Sequence, residues 1–250
     1  MVEKQYIKEL TALLSLEYNC PNDAWIRTEN VLTESRLHEG RRMYGDTPYF
    51  FHMATMGGNA VITADALMHP FLSEYIEQKT GHWLFEVPHL LKLEQELNRF
   101  SYTLTQSHHM FLPCWESSVL PRTDIDVLWC EDKEIHRFYG DERFPNAICP
   151  TYLPRRPDRI AVLALAGNEI VGMAGGSEDA PGWIQIGIDV IPQYRSRGIG
   201  TYLVMLLKKR IEEMGAIPFY GTSVSNYHSW NIAIKSGFRP TWVEIGAEKM

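Results

Sequence analysis

The chain has 250 residues, a formal net charge of −7 and 45% hydrophobic residues. Its length exceeds that of most single domains, so two packing units are expected, and its apolar share suffices for a full core. The acidic balance excludes a broad nucleic-acid-binding face, which needs clustered Lys and Arg, but leaves room for a local basic pocket that holds a phosphorylated ligand.

Residues 3–16 mix Glu3, Lys4, Lys8 and Glu9 with apolar positions. They read as an amphipathic helix rather than the apolar core of a signal peptide. A second helix is expected over 23–37. Residues 49–64, rich in aromatic and β-branched types around Gly57-Gly58, predict two strands joined by a turn. The longest uncharged stretch, 47–64, holds His52, Asn59 and both of these glycines, so it makes a poor membrane span. A helix is expected over 70–79, a short strand over 83–87, a helix opened by Pro88 with an apolar stripe, and a strand over 101–113. Residues 114–126 read as a connector between an N-terminal α/β region (1–113) and a second domain (124–250).

Beyond the connector, 135–139 predicts a short helix and 145–158 a proline-rich loop. Strands are expected over 160–165 and 170–174, joined by Gly167-Asn168, and over 183–191. A long helix over 198–214, a strand over 219–224, a helix over 227–236 and a strand over 240–245 follow. The order is β-β-β-α-β-α-β, a mixed α/β layer. Cys20, Cys114, Cys130 and Cys149 form no CxxC pair and are expected to be reduced in a cytoplasmic protein.

The chemistry concentrates in Asp189-Val-Ile-Pro-Gln-Tyr-Arg195-Ser-Arg197-Gly198-Ile-Gly200-Thr201. A strand ends, passes through basic residues and two glycines, and becomes a helix. Such a turn aims backbone N–H groups and the positive helix end at one spot, where the glycines let a phosphate approach. Arg195 and Arg197 add charge for a ligand with several phosphates. The spacing is neither a GxGxxG fingerprint nor a phosphate loop ending in GK[ST].

Arg195-Ser-Arg-Gly198-Ile-Gly200 resembles the acyl-CoA motif (Q/R)xxGx(G/A) of the GNAT superfamily of N-acetyltransferases. Asn226 and Gly237-Phe238 stand at the spacing of a second family segment. The resemblance implies a mixed, mostly antiparallel sheet flanked by helices, with acetyl-CoA as acyl donor. The coenzyme would be held around Val190, Ile191, Arg195, Ser196, Arg197, Gly198, Ile199, Gly200 and Thr201, with Asn226 and Ser229 nearby. Asn226 would touch the pantetheine, cap its helix, or do both. The thioester would lie where the strands 184–190 and 219–222 part. Longer strings, among them WIQIGIDVIPQYRSRGIG and FFHMATMGGNAVITA, resemble a bacterial subgroup that includes zwittermicin-type resistance acetyltransferases. The N-terminal region then reads as a degenerate second copy of the fold, without the glycine turn.

Acyl transfer to an amine needs proton management. The Glu that family members often carry on the strand before the turn is missing. Gln185 shares a face with Asp189 and would position a water; Asp189 serves either as a base or as an anchor for loop N–H groups. Glu178, Asp179 and Glu244 are further carboxylate candidates. The Tyr that many members place seven residues after the Asn is here Ala233. The expected partners are acetyl-CoA and a small amine, with no nucleic acid, membrane or metal. A second class of function, an acyl-CoA-binding sensor or scaffold, keeps the fold without turnover. His108-His109 would point oppositely on a strand, and Arg41-Arg42 reads as a solvated basic pair. The sheet edge after the last strand is expected to be covered by the N-terminal region or by a second subunit, as in a homodimer.

Overall fold

The computed structural model describes residues 2–77, 79–114, 122 and 124–250. In chain order these form α1 (Val2–Glu17), β1 (Val31–Glu34), β2 (Phe51–Thr55), β3 (Ala60–Ala64), α2 (His69–Ile76), α3 (Val87–Asn98), β4 (Tyr102–Leu104) and β5 (His108–Pro113). There follow β6 (Asp126–Glu131), β7 (Asp158–Ala166), β8 (Glu169–Ala180), β9 (Trp183–Val190), α4 (Ile199–Glu213), β10 (Ile217–Ser223), α5 (Tyr227–Lys235) and β11 (Phe238–Lys249). Most of the expected connector lies outside the described residues. The described residues form two compact units, Glu3–Met110 with Thr241–Met250, and Phe111–Pro240. The last ten residues, expected in the C-terminal domain, thus group with the N-terminal region.

In the first unit β1 runs parallel to β3, which pairs antiparallel with β2, and β2 pairs antiparallel with residues 243–246 of β11. The N-terminal region therefore supplies the neighbour that the last strand needs. Phe51, Met53, Ile62 and Ile245 face Leu72 of α2 and Leu93 and Leu97 of α3 in a closed apolar cluster. The end of α1 brings Tyr18 into a stack on His52, with ring centroids 5.1 Å apart.

Two local expectations fail in this unit. Residues 23–37 are not a helix but a 3₁₀ turn, Asn22–Ile26, followed by β1. Two asparagines redirect the backbone: Asn59 Nδ2 donates to the Ala24 and Glu29 carbonyls, and Asn30 Oδ1 accepts the Ala60 N–H. Residues 83–87 are not a strand, because Gly81–Phe85 winds as 3₁₀. The Trp83 N–H goes to the Thr80 carbonyl and the Glu86 N–H to the Trp83 carbonyl, so the ladder groups are used locally.

In the second unit β6, β7, β8 and β9 form an antiparallel run, and β10 joins β9 in parallel. A strand at 126–131 was not expected. It is an edge strand with Asp126, Leu128 and Glu131 exposed, and its short apolar run, Val127 to Cys130, is flanked by acidic residues next to the expected connector. Along β9 the side chains alternate. Ile184, Ile186, Ile188 and Val190 pack with Ile199, Leu203 and Leu207 of α4 and with Ala233 of α5. The opposite face belongs to Trp183, Gln185, Gly187 and Asp189. A mixed α/β layer is what the pattern predicted, and a largely antiparallel sheet flanked by helices is what the resemblance implied.

Candidate active site

The strands β9 and β10 pair only from Trp183↔Ile217 to Ile186↔Tyr220. From Gly187 onward β9 continues to Val190 and β10 to Ser223 without further pairing between them. The two strands therefore part at Ile186 and Tyr220, as expected for segments 184–190 and 219–222.

Directly after β9 the chain makes a single 3₁₀ turn, Pro192–Tyr194, and reaches α4 through a backbone that favours glycine. Ser196 has φ 62°, and Gly198, the residue before α4, has φ 77° and ψ 5°. The first intrahelical bond of α4 runs from the Tyr202 N–H to the Gly198 carbonyl at 3.0 Å. The N–H groups of Ile199, Gly200 and Thr201 precede it and point out of the helix end, where the dipole is positive. Arg195, Ser196, Arg197 and Gly198 are exposed, whereas Ile199 and Gly200 are buried.

The arginines are held in place. Arg195 Nε donates to the Val190 carbonyl at 2.9 Å, and Arg197 donates to the Gln193 carbonyl with its guanidinium over the Tyr194 ring. A third cation, absent from the sequence-based expectation, joins them. Arg122 Nη1 donates to the Arg197 carbonyl at 2.7 Å while its other nitrogens engage Asp124. Lying 75 positions upstream in a segment read as connector, it carried no local signal. The two glycines differ in role. A Cβ at Gly198 would meet only Arg122 at 3.6 Å, so its space is open and its positive φ is the constraint. A Cβ at Gly200 would meet Ile232 at 3.1 Å, so there the missing side chain lets α4 pack on α5.

Asn226 caps α5, its Oδ1 accepting the Ser229 N–H at 3.1 Å. The Ser229 hydroxyl lies 2.6 Å from the Tyr220 hydroxyl, at the last paired residue of β10. Burial pushes the Tyr220 phenol up to about 12, with Asp189 adding to the rise, so it is protonated at neutral pH. Ala233 is wholly buried in the apolar core.

The carboxylates expected near the chemistry are committed elsewhere. Asp189 accepts from the Asn146 N–H (2.6 Å), the Asn146 side-chain amide (2.7 Å) and the Ala147 N–H (2.9 Å). It clamps the loop at 144–149 over the face of β9 that carries Gln185. Asp179 is fully buried and accepts from the Ser177 hydroxyl, and Glu178 accepts the Gly182 N–H. Glu244 lies in the first unit, where Arg42 bonds both its oxygens and Trp242 Nε1 donates to it at 2.7 Å. Burial alone would raise this carboxyl, but the Arg42 guanidinium, His52 and the indole N–H hold it down to about 2. Such an oxygen is a weak base. Arg42 also grips Glu17 through two nitrogens, and its guanidinium lies over the Tyr44 and Trp242 rings. Arg41 and Arg42, read as solvated, are in fact among the largest fully buried side chains. Their partners Glu17 and Glu244 are 25 and 202 positions away from Arg42, beyond any local pattern.

Residues 122–238 match the acetyltransferase (GNAT) family. The matched stretch spans β6 to α5, almost the whole second unit, and so includes the turn and the parted strands. Among solved structures, a Drosophila protein at 12% identity shares the fold over 98% of this chain and 88% of its own, with a TM-score of 0.50. A GCN5-related N-acetyltransferase-like protein from Streptococcus suis aligns over 65% of this chain and 68% of its own, at 15% identity and a TM-score of 0.49. A Bacillus subtilis acetyltransferase in complex with CoA aligns over 50% of this chain and 99% of its own, at 19% identity and a TM-score of 0.37. No curated protein matches. The family match covers a little under half of the chain, and the likeness to the Drosophila protein is one of fold. Among the described residues no helix is long and apolar enough to cross a membrane.

Proposed function

We propose that the chain transfers an acetyl group from acetyl-CoA to an amine of a small molecule by direct attack in a ternary complex. The observation that carries this reading is the juxtaposition, within one unit, of an amide-lined helix start at Gly198–Thr201 and a sheet that opens at Ile186 and Tyr220. The first offers N–H groups and cations to a diphosphate. The second exposes the edge of β9 from Gly187 to Val190, on which an extended pantetheine arm would bond like an added strand. In this reading Val190, Ile191, Arg195 to Thr201, Asn226 and Ser229 hold the coenzyme. The attacking amine loses its proton to a water positioned by Gln185, since Asp189 and Glu244 are occupied by their own partners. Residues 1–113 act as a GNAT-like half that has lost the glycine turn and that sets the choice of amine. The longer sequence strings resemble those of the zwittermicin-type resistance subgroup, and a cytoplasmic location would supply acetyl-CoA.

The test is calorimetric titration of coenzyme A into the protein and its Gly198→Asp variant, beside thiol release from acetyl-CoA over a panel of amines. The native protein is expected to bind coenzyme A and release thiol when an amine is added. The variant places a carboxylate at the diphosphate and strains a residue at φ 77°, so binding is expected to fall at least about a hundredfold. Equal affinity in the variant would remove the cofactor from this turn. The buried Ala233 and the tied carboxylates favour a second reading, a module that binds acyl-CoA without turning it over. Tight binding with no thiol release from any amine would select it.

A further inference from the structure

We propose that Ser229, backed by Tyr220, donates the hydrogen bond that stabilises the departing coenzyme A thiolate. This inference rests on the acyl-transfer reading, because it concerns the sulfur that such a reaction releases. Once the amine nitrogen has bonded to the carbonyl carbon, the C–S bond breaks and its electron pair stays on sulfur. The proton shed by the amine goes to water, and the thiolate later takes up one proton from solvent. What the protein can supply in between is a donor aimed at the sulfur.

Hydroxyl counting identifies that donor. Tyr220 and Ser229 own two O–H groups, and the 2.6 Å contact between them consumes one. Tyr220 is 1% exposed and lies between Phe111 and Phe238, so among the described residues its O–H finds only the Ser229 oxygen. Ser229 is half-buried, on the first turn of α5, so its own O–H is the one left to point outward. A hydroxyl that already accepts a hydrogen bond is a better donor, because polarisation runs along the chain of bonds. The pair also stands in the right place. Tyr220 is the last residue of β10 still in register with β9, so the relay begins where the strands open. Asp189, on β9 beside that opening, has its oxygens filled by the loop at 146–147 and offers no donor to a thiolate. Ala233 has no proton to give.

In this arrangement Ser229 is a catalytic residue and Tyr220 a positioning residue that acts through it. The experiment uses the full chain with coenzyme A itself. Ultraviolet titration of the protein-bound thiol reads the thiolate directly, without turnover. Native protein is expected to lower the bound thiol's pKa relative to free coenzyme A. Ser229→Ala should restore the free value in the coenzyme A that it still binds, and at saturating acetyl-CoA kcat should fall about tenfold to a hundredfold, the worth of one hydrogen bond to a charged group. Ser229→Thr, which keeps the hydroxyl, should recover most of the loss. Tyr220→Phe should cost less than Ser229→Ala, and adding it to Ser229→Ala should cost nothing more, because the phenol acts only through the serine. A purely structural tyrosine would instead cost the same in both backgrounds. Coenzyme A that binds with an unshifted thiol in the native protein overturns this inference alone. Coenzyme A that fails to bind native protein overturns the acyl-transfer reading and this inference with it.

Discussion

Arg42 is the residue on which the interior of the first unit depends electrostatically. It is wholly buried, with Glu17 at 2.7 Å and Glu244 at 2.7 Å, and aromatic rings above it. Removing one member of such a set leaves uncompensated charge away from water, so Arg42→Leu should destabilise the protein by about 3 to 5 kcal/mol. Denaturant midpoints would read that loss. The Glu244 carboxyl is held below its ordinary value, at about 2 against 4.5. A depressed carboxyl contributes stability that is present above pH 4.5 and lost as pH falls through the folded value. His52, whose pKa burial lowers, pushes the same way, because unfolding frees it to take up a proton. Melting temperature should therefore begin to fall below about pH 6.5, where His52 contributes, and drop steeply between about pH 4.5 and 2. Glu244→Gln should start lower at neutral pH and be flatter across that window. If Glu244 were the catalytic base, the same variant would also lose kcat at temperatures where it remains fully folded; retained kcat would fit its role as an ion-pair partner.

At the scale of elements, the site is shaped by what lies over β8 and β9. A Cβ at Gly187 would sit 1.8 Å from the Asn146 carbonyl oxygen, and one at Gly175 would sit 2.1 Å from that of Ala147. The loop at 144–149 touches the strand backbone, and Asp189 ties it down from the same face. Gly187→Ala must shift backbone, so it is expected to cost about 1 to 3 kcal/mol and to loosen coenzyme A binding. Gly58→Ala, where nothing lies within 4 Å, should be close to neutral in the same denaturation series. Much of this layer was legible in the sequence. The strand, the two-glycine turn and α4 follow each other along the chain, so local periodicity and spacing expose them. The Gly167-Asn168 hairpin and Asn226 at its helix start were readable for the same reason. What was not legible needed distant partners. Asn30 and Asn59 turned an expected helix into β1, and the Asp189 clamp depends on residues 43 positions away. The Tyr220–Ser229 pair, only nine apart, escaped because its two residues sit on a strand and a helix of different period.

For the whole molecule, the consequential feature is where the last ten residues belong. A division at the connector would assign 124–250 to a free-standing catalytic domain, yet Thr241–Met250 group with Glu3–Met110. Within that unit, residues 243–246 complete the sheet beside β2, residues 247–249 pair with β4, and Glu244 supplies the second carboxylate to Arg42. A fragment ending at 113 would lose the strand and leave the β2 edge unsatisfied, with Arg42 short of one partner. We therefore expect fragments 1–113 and 124–250, produced separately, to be poorly folded or aggregated. Deleting only 241–250 from the full chain should disrupt the first unit selectively. Hydrogen exchange by mass spectrometry would separate the two units directly: amides of β2 and β3 should lose protection on that deletion, while those of β7, β8 and α4 should keep it. Full protection of β2 in the shortened chain would show that the first unit stands without its final strand, and the 1–113 region would then be a domain in its own right.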